Sequence, residues 1–326
     1  MSFSVAGTGS ALPKRAVSNE QLGSFLDTTD AWICSRTGIA QRHVMVQESL
    51  KDLAMQAGLD ALVMAGIEAS QLDLIVCATT VSDHLIPSLG CEVQSAIGAV
   101  CPAFDINAAC SGFLYALDVA AGCFCRKPNS KILVIAADAM SRLVDWRQRS
   151  TCVLFGDGAG AVVLTGGDDL LSIQLSATGD DKTIVLKGPK GNSPFAAAQD
   201  AYPFLSMIGK EVYRFAVTSS VRNLKKVLEL AELQEDAVDL VLLHQANARI
   251  LDAVAARLSI PKDRFVSNIT CCGNTSSASI PILLDELNRQ GRLDPGMVLA
   301  MSSFGGGLTT GACILRWHGA SPKARL

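Results

Sequence analysis

The stretch DINAACSGFLYAL, residues 105–117, changes from a strand pattern to a helix pattern around Cys110. The letters AFDI at 103–106 read as the end of a buried strand, and the apolar residues of GFLYALDVAAG at 112–122 recur at helical intervals. Small residues on both sides of Cys110 leave room for a second molecule to approach the sulfur. We therefore expect Cys110 at a helix N-terminus, where unpaired amide groups and the helix dipole favour a thiolate.

The other cysteines give no sign of a metal site or a disulfide framework. The chain has eleven cysteines and four histidines, and a cysteine is more often a small buried hydrophobe than a nucleophile. The spacings CFC at 123–125 and CC at 271–272 are not those of paired zinc ligands. We expect no metal, and we expect reduced thiols in a cytoplasmic protein.

Length and composition predict a large folded core. With 326 residues, of which 49% are hydrophobic, the chain is long enough for two domains or one large α/β unit. A net charge of −3 lacks the basic excess that nucleic-acid binding needs. The chain has no run of about 18 uncharged apolar residues, and its first residues lack the charged and apolar regions of a signal peptide. We therefore expect no nucleic-acid partner, no membrane partner and a cytoplasmic location.

Two segments of the chain share one pattern. IEASQLDLIVCATT at 67–80 and LQEDAVDLVLLHQA at 233–246 each pass from an acidic turn through Asp-Leu into a β-rich run. The two Asp-Leu pairs lie 166 positions apart, and the same shift carries Cys110 to Ser276. An apolar helix pattern follows both residues, which indicates an internal duplication.

A third pair of segments supports the duplication. FGDGAGAVVLT from position 155 and FGGGLTTGACIL from position 304 both read as a Phe-Gly turn followed by a strand. Three matched pairs in the same order predict two similar α/β halves, at 1–169 and 170–326. Right-handed crossovers would make much of each sheet parallel.

Two segments are irregular. Residues 180–205 are rich in glycine and proline at their centre, and we expect them to form a long connection between the two halves. The tail HGASPKARL at 318–326 carries no apolar periodicity, and we expect it to be disordered.

His244 and Asn274 are further candidates for chemistry. DLVLLHQANARI ends a buried strand at His244, and CCGNTSSAS places Asn274 in a turn before a helix. Each alone is an ordinary structural residue, since Asn and Ser are common in turns and helix caps. Ligands of α/β folds bind at the carboxyl ends of strands, so the duplication brings Cys110, His244 and the 274–276 turn towards one place.

The order Cys110, His244, Asn274 is also the order found in papain-like proteases. In those enzymes the cysteine and the histidine are about 130–150 residues apart, and here they are 134 apart. Papain-like enzymes carry C-G-[SA]-C-[WY] near the mature N-terminus, whereas this cysteine lies within NAACSG in the interior of the chain. A protease is therefore the weaker interpretation.

Six motifs in order resemble those of the β-ketoacyl-[acyl-carrier-protein] synthase III family. They are TTDAWICSRTGIAQRHV, NAACSGF, FGDGAGA, HQANARI, GNTSSAS and SSFGGGLTTG, and they extend over almost the whole chain. The resemblance implies a thiolase-like duplicated α/β fold, layered αβαβα. It also implies the initiating condensation of fatty-acid synthesis, in which an acyl group passes from acyl-CoA to a cysteine and then to decarboxylated malonyl-acyl-carrier protein.

The resemblance implies roles for the candidate residues. Cys110 would be the nucleophile, and His244 with Asn274 would donate hydrogen bonds to the enolate oxygen that forms on loss of carbon dioxide. The amides of Cys110 and Gly306 would form an oxyanion hole, and close backbone approach would account for the glycines at 305–307. No cofactor is implied, because the coenzyme A thioester is a substrate.

Binding residues follow from the same resemblance. For coenzyme A it implies Trp32 and Arg149 on the two faces of adenine, Arg36 and Thr37 near the pyrophosphate, and Met207, Gly209, Ala246 and Asn247 along the pantetheine tunnel. For docking of the acidic acyl carrier protein it implies a partly basic surface, made of Gln245, Ala246, Asn247, Ala248, Arg249, Arg214 and Arg257.

Ile86, in HLIPS, stands where a residue of the partner subunit caps the acyl pocket in family members, so the resemblance implies a homodimer. Some members that prefer acetyl groups carry a bulky aromatic residue at this position. Isoleucine is smaller, which widens the expected starters to propionyl and short branched groups.

Two other functions are alternatives to a type III synthase. A thiolase-fold synthase of secondary metabolism, primed by an acyl-CoA or aroyl-CoA, would retain Cys110, His244 and Asn274. A non-catalytic partner that binds thioesters would not need them, so their presence argues against it. Elongating synthases use two histidines and thiolases use a second cysteine, so Asn274 indicates the type III branch.

Overall fold

A computed structural model describes residues 2–188, Phe195 and residues 204–319. Most of the tail expected to be disordered therefore lies outside the described residues. The strands are β1 (Ser2–Ala11), β2 (Arg15–Ser18), β3 (Gln41–Val44), β4 (Leu74–Ala78), β5 (Ala103–Ile106), β6 (Lys131–Ala139), β7 (Asp157–Gly167), β8 (Leu170–Ala177), β9 (Ile184–Val185), β10 (Ser206–Met207), β11 (Leu240–Leu243), β12 (Phe265–Val266), β13 (Val298–Gly305) and β14 (Thr309–Arg316).

The helices are α1 (Asn19–Gly23), α2 (Asp30–Thr37), α3 (Leu50–Ala65), α4 (Leu89–Ile97), α5 (Gly112–Arg126), α6 (Arg149–Cys152), α7 (Gly209–Leu230), α8 (Ala248–Ala255), α9 (Ile269–Cys272) and α10 (Ser279–Arg289). Within the described ranges, no helix combines the length and the apolar character that crossing a membrane requires.

Two five-stranded sheets have the same strand order. The first runs β1-β7-β6-β4-β5, and the second, read in the same sense, runs β8-β14-β13-β11-β12. In both, the fourth strand pairs in parallel with its two neighbours, and the other two pairings are antiparallel. The duplication is therefore confirmed. Each sheet is mixed and only half of its pairings are parallel, since β13 and β14 are joined by a short turn, which requires antiparallel strands.

Five layers alternate helix and sheet. The apolar faces of α3 and α4 cover one side of the first sheet, and α5 and α10 pack between the two sheets. The apolar faces of α7 and α8 cover the outer side of the second sheet. The expected αβαβα layering is therefore confirmed, and the central sheets are buried on both faces.

Burial on both faces explains the apolar strands of the sequence. In β4, Ile75 and Cys77 face the outer helices, whereas Val76 and Ala78 face the central helices. Alternate residues of the strand thus enter different cores, and every position is apolar. The site lies where such strands end.

Two expectations about segments are wrong. β5 is an edge strand with a single neighbour, so Phe104 is 38% exposed rather than buried. The segment 180–205 lies inside the second half, between β8 and α7, and β9 near its start pairs with β10, which directly follows it. The boundary that we propose between the halves, at 169 and 170, falls between the end of β7 and the start of β8.

Candidate active site

A cavity of about 960 Å³ is lined by residues from both halves of the chain, including Cys110, His244 and Asn274. These three candidates, separated by up to 164 positions in sequence, therefore meet at one site. Three exposed cationic side chains line the cavity: Arg36, Lys210 and Arg249. Apolar side chains form much of the remaining lining: Met140, Leu143, Phe155, Ile184, Leu186, Leu205, Met207 and Phe304.

Cys110 lies in a single 3-10 turn, Ala109–Ser111, directly before α5. Ala109 has a φ of 49°, which is left-handed backbone that a non-glycine residue adopts rarely. The Ala109 amide donates to Asn107 Oδ1 over 3.0 Å, and the Ser111 hydroxyl donates to the Thr309 carbonyl over 3.2 Å. The turn that carries the sulfur is thus fixed on both sides of Cys110.

The Cys110 thiol is neutral in the free protein. The pKa of this thiol is raised to about 12, mainly by burial and also by the nearby Asp138 carboxylate, while a hydrogen bond from Ser276 lowers it in part. The position before α5 agrees with our expectation, but the expected preference for a thiolate is wrong because desolvation outweighs the helix terminus. Deprotonation must therefore accompany the approach of a substrate.

His244 is a neutral hydrogen-bond donor. Its Nδ1 lies 2.7 Å from Ser279 Oγ, and Ser279 Oγ also accepts the Gln245 amide over 3.3 Å. The Ser279 hydroxyl has no other acceptor among the described residues, so its hydrogen points at Nδ1, which places the ring proton of His244 on Nε2. Burial lowers the pKa of His244 to about 3, so the ring stays uncharged at physiological pH.

Asn274 presents its amide nitrogen to the cavity. Its Oδ1 accepts the Ser276 amide over 2.9 Å, which leaves Nδ2 as the polar atom available to a ligand. The backbone N–H of Asn274 donates to the Leu154 carbonyl, and the backbone carbonyl of Asn274 accepts the Gly156 N–H. Asn274 is thus held by backbone hydrogen bonds to the segment that leads into β7.

Close approach to the Cys110 backbone requires glycine at one position of the predicted 305–307 run. A Cβ at Gly305 would lie 2.7 Å from the Cys110 nitrogen, and Gly307 has a φ of 124°. A Cβ at Gly306 would make only an ordinary contact, 3.4 Å from Ile184. The close approach to the Cys110 backbone therefore falls on Gly305, within the predicted run.

The coenzyme A residues divide into two groups. Five of the eight line the cavity: Arg36, Met207, Gly209, Ala246 and Asn247. The described lining does not include Trp32, Thr37 or Arg149. Asn247 also ties α8 to α2, since its Nδ2 donates to the Arg36 carbonyl over 3.1 Å.

Thr37 cannot bind a pyrophosphate through its side chain. It is 3% exposed, and its hydroxyl donates to the Ile33 carbonyl over 2.7 Å while accepting the Ile39 amide. A contact through the Thr37 hydroxyl is therefore ruled out, because the hydroxyl closes the last turn of α2, and the placement of Thr37 near the pyrophosphate stays a prediction.

Trp32 and Arg149 contact each other directly. The Arg149 guanidinium carbon lies 4.9 Å from the ring centroid of Trp32, and the same guanidinium donates to the Asp27 carbonyl. This stacking is a cation–π contact. An adenine ring that is to lie between the two side chains must first displace Arg149.

Only some of the residues predicted to dock the carrier protein are exposed. Arg249, Arg257 and Arg214 are exposed, whereas Gln245 is fully buried. The Gln245 side chain accepts the Ser267 hydroxyl over 2.6 Å and donates to the Leu243 carbonyl. The expectation that Gln245 contacts a carrier protein is therefore wrong.

Ala246 is likewise buried and borders the cavity. Ile86 is 89% exposed and is not part of the described lining of its own cavity.

Our sequence reasoning missed four residues around the site: Ser276, Ser279, Asp138 and Phe304. The edge of the His244 ring packs on Phe304, with ring centroids 5.2 Å apart. The internal repeat does pair Cys110 with Ser276, whose side chains are in contact, and that pairing was the one available signal. Ser279 and Phe304 lie within the quoted motifs GNTSSAS and SSFGGGLTTG, but nothing there gave them a role, and Asp138 lies in no motif.

Comparisons with known proteins identify the family of the chain. The family model described as 3-oxoacyl-[acyl-carrier-protein (ACP)] synthase III matches residues 104–179, and the model of its C-terminal part matches residues 228–317. The β-ketoacyl-[acyl-carrier-protein] synthase III of Synechococcus elongatus is 47% identical over 323 residues, with 96% of each chain covered.

Two solved structures have the same fold over almost the whole chain. The 3-oxoacyl-[acyl-carrier-protein] synthase III of Aquifex aeolicus has a TM-score of 0.89 at 41% identity, covering 97% of this chain and 100% of that chain. The priming β-ketosynthase of the R1128 polyketide biosynthetic pathway has a TM-score of 0.91 at 33% identity, covering 98% and 97% respectively.

Proposed function

The chain belongs to the 3-oxoacyl-[acyl-carrier-protein] synthase III family, and we propose that Cys110, His244 and Asn274 carry out its reaction. It is an acyltransferase, the initiating condensing enzyme of fatty-acid synthesis. The identity to the polyketide priming synthase is lower, 33% against 47%, which disfavours secondary metabolism. The observation that carries the residue roles is that one cavity holds a thiol and two neutral donors.

Acyl transfer is the first step. The Cys110 sulfur attacks the thioester carbon of acyl-CoA, a bond between sulfur and the acyl carbon forms, and the bond to the coenzyme A sulfur breaks. The thiol proton leaves with the coenzyme A sulfur. The backbone amides of Cys110 and Gly306 are the proposed donors to the oxyanion of this step, and the position of Gly305 against the Cys110 amide supports them.

Condensation is the second step. The carboxylate of malonyl-acyl-carrier protein leaves as carbon dioxide, and its bonding electron pair forms an enolate. His244 Nε2 and Asn274 Nδ2 donate hydrogen bonds to the enolate oxygen, and uncharged donors suit this role because they act on charge only as it develops. The enolate carbon attacks the acyl carbon, the bond to Cys110 breaks, and the released thiolate takes up a proton. No cofactor enters either step.

The outer part of the cavity is the proposed site of substrate entry. Arg36, Lys210 and Arg249 provide positive charge there, which suits both the phosphates of coenzyme A and an acidic acyl carrier protein. The apolar lining that follows suits the pantetheine arm and the acyl group. Unpaired thiols at all eleven cysteines support a reducing, cytoplasmic location.

A homodimer is supported by an exposed apolar surface. Leu85, Ile86 and Val100 are 81%, 89% and 81% exposed, and β5 is an unpaired sheet edge close to them in sequence. We propose that Ile86 reaches the acyl pocket of the partner subunit and admits propionyl and short branched starters. Ile86→Glu should then give monomers in sedimentation velocity, whereas Val63→Glu, equally exposed on α3, should not. A monomeric parent protein would contradict the proposal.

The function is tested by reconstituting the whole reaction. The protein is mixed with acetyl-CoA and malonyl-acyl-carrier protein, and the carrier protein is analysed by mass spectrometry. We expect β-ketoacyl-carrier protein from the parent chain, none from Cys110→Ala, and a normal amount from Cys271→Ala, which removes an exposed cysteine outside the described cavity lining. Product formation by Cys110→Ala would overturn the assignment of the nucleophile.

A further inference from the structure

Ser276 contacts the sulfur of Cys110 from the opposite half of the chain. The Ser276 hydroxyl donates a hydrogen bond to Cys110 Sγ over 3.4 Å, a normal distance for a sulfur acceptor. Ser276 is 1% exposed, so water cannot replace this donor easily. A hydrogen bond to a sulfur is stronger when the sulfur is charged, so the contact favours the thiolate over the thiol.

The backbone holds Ser276 in a strained conformation. Its φ is 53°, in the left-handed region that favours glycine. The Ser276 amide donates to Asn274 Oδ1 over 2.9 Å, so the same residue orients the Asn274 side chain and contacts the Cys110 sulfur. Strain of this kind persists only where the surrounding contacts enforce it.

Asp138 supplies those contacts. This carboxylate, at the end of β6, is fully buried and accepts the Ser277 hydroxyl over 2.6 Å and the Ser277 amide over 3.1 Å. Its other oxygen accepts the Thr80 amide over 2.6 Å. Asp138 thus fastens the turn of Ser276 and Ser277 to the end of the first sheet, directly behind Cys110.

We propose that Ser276 is a further catalytic residue, whose hydroxyl stabilises the Cys110 thiolate during acyl transfer, and that Asp138 is the positioning residue that holds Ser276 in place. The inference rests on the proposed role of Cys110 as nucleophile. It accounts for how a thiol in a desolvating pocket reaches its reactive form. The thiolate gains a donor that is already oriented, so no reorganisation is needed when the thioester arrives.

The charged groups around Cys110 do not replace this donor. The Asp138 carboxylate opposes a negative charge on the sulfur, and His244 is uncharged. The cations of the cavity, Arg36, Lys210 and Arg249, are exposed and therefore screened by solvent. Ser276 is the side chain whose hydrogen bond lowers the pKa of Cys110.

The test measures the reactivity of the Cys110 thiol itself. Parent protein and Ser276→Ala are alkylated with iodoacetamide at a series of pH values below the thiol pKa, and the Cys110 peptide is quantified by mass spectrometry. Loss of the donor should raise the Cys110 pKa by about one unit, which makes alkylation about tenfold slower at a given pH. Ser219→Ala is the matched control, since its buried hydroxyl bonds to the Phe215 carbonyl in α7.

Ser276→Gly is a second variant that controls for a folding defect in Ser276→Ala, because glycine adopts a φ of 53° without strain. It should show the same slow alkylation as Ser276→Ala, and both variants should transfer the acetyl group more slowly with an unchanged KM for acetyl-CoA. Alkylation at the parent rate in both variants would overturn the role of Ser276. Absence of acyl transfer in the parent protein would instead overturn the proposed function, and the alkylation comparison would still decide the role of Ser276.

The role of Asp138 is tested by a double-mutant cycle. Asp157 is a matched control, since it too is fully buried and accepts the amide and hydroxyl of one serine, Ser141, and one further amide. In an Asp138→Asn background Ser276→Ala should slow alkylation by clearly less than tenfold, whereas in an Asp157→Asn background it should retain the full effect. Equal effects in both backgrounds would overturn the positioning role of Asp138.

Discussion

The imidazole of His244 accepts a hydrogen bond from the hydroxyl of Ser279, with Nδ1 and Oγ 2.7 Å apart. Among the described residues, Nδ1 is the one acceptor within reach of the Ser279 hydroxyl hydrogen, and this sets the direction of the hydrogen bond. The ring proton of His244 therefore lies on Nε2 and is available to the cavity. A donor rather than a general base is what stabilisation of an enolate requires.

His244→Ala and Asn274→Ala should separate the two steps of the reaction. Both variants should still take an acetyl group from acetyl-CoA, since neither side chain is the nucleophile. Each should lose about 10²–10³ in the rate of malonyl-acyl-carrier protein decarboxylation, the usual cost of removing one oxyanion donor. Release of labelled carbon dioxide measures this rate. Decarboxylation at the parent rate in both variants would mean that the two donors are wrongly assigned.

The decarboxylation rate should not depend on a histidine titration. Since burial lowers the pKa of His244 to about 3, the ring is neutral below and above physiological pH, and raising the pH changes nothing at Nε2. The rate should show no inflection between about pH 5 and 8, the range of an ordinary histidine. An inflection near pH 6.5 that disappears in His244→Gln would contradict the neutral donor.

Trp32→Ala should weaken coenzyme A binding without affecting chemistry. Loss of stacking worth about 1 kcal/mol should raise the KM for acetyl-CoA roughly fivefold. Acetyl-pantetheine, which lacks adenine, should be used equally well by parent and variant. Trp146→Phe is the control, because Trp146 bonds to the Ser141 carbonyl and is outside the proposed adenine site. An equal loss with both substrates would place the defect elsewhere.

Charge reversal at Arg249 should affect only the carrier-protein step. Arg249→Glu should raise the KM for malonyl-acyl-carrier protein several-fold, more at low salt than at high salt, because rim charges act mainly on encounter. Acetyl transfer from acetyl-CoA should be unaffected. Arg292→Glu, exposed in the loop between α10 and β13, is the control. The docking proposal fails when the two variants behave alike.

The fold was predictable because short sequence patterns repeat in the two halves of the chain. The Asp-Leu pairs, the Phe-Gly turns and the two small-residue turns before apolar helices each mark a strand end or a helix start, and those are short-range features. Cys110 and His244 follow from them because both lie just beyond strand ends, and Asn274 follows because its turn leads into an apolar helix. The layering follows since strands with apolar residues at every position must be covered on both faces.

What sequence reasoning missed depends on contacts between distant segments. Nothing in HQANARI shows that Gln245 turns inward to Ser267. Nothing in SRTG at 35–38 shows that the Thr37 hydroxyl closes the last turn of a helix. The pKa of Cys110 was misjudged for the same reason. A helix terminus is visible in sequence, whereas desolvation and the Asp138 carboxylate are supplied by other strands.

The most direct test of the account is the intact mass of the protein after incubation with acetyl-CoA, propionyl-CoA and a branched acyl-CoA, followed by peptide mapping. We expect a single acyl group, on the peptide that contains Cys110, and no addition to Cys110→Ser. Acylation of another cysteine, or the absence of any adduct from all three thioesters, would contradict the central claim that Cys110 is the nucleophile of the priming condensation.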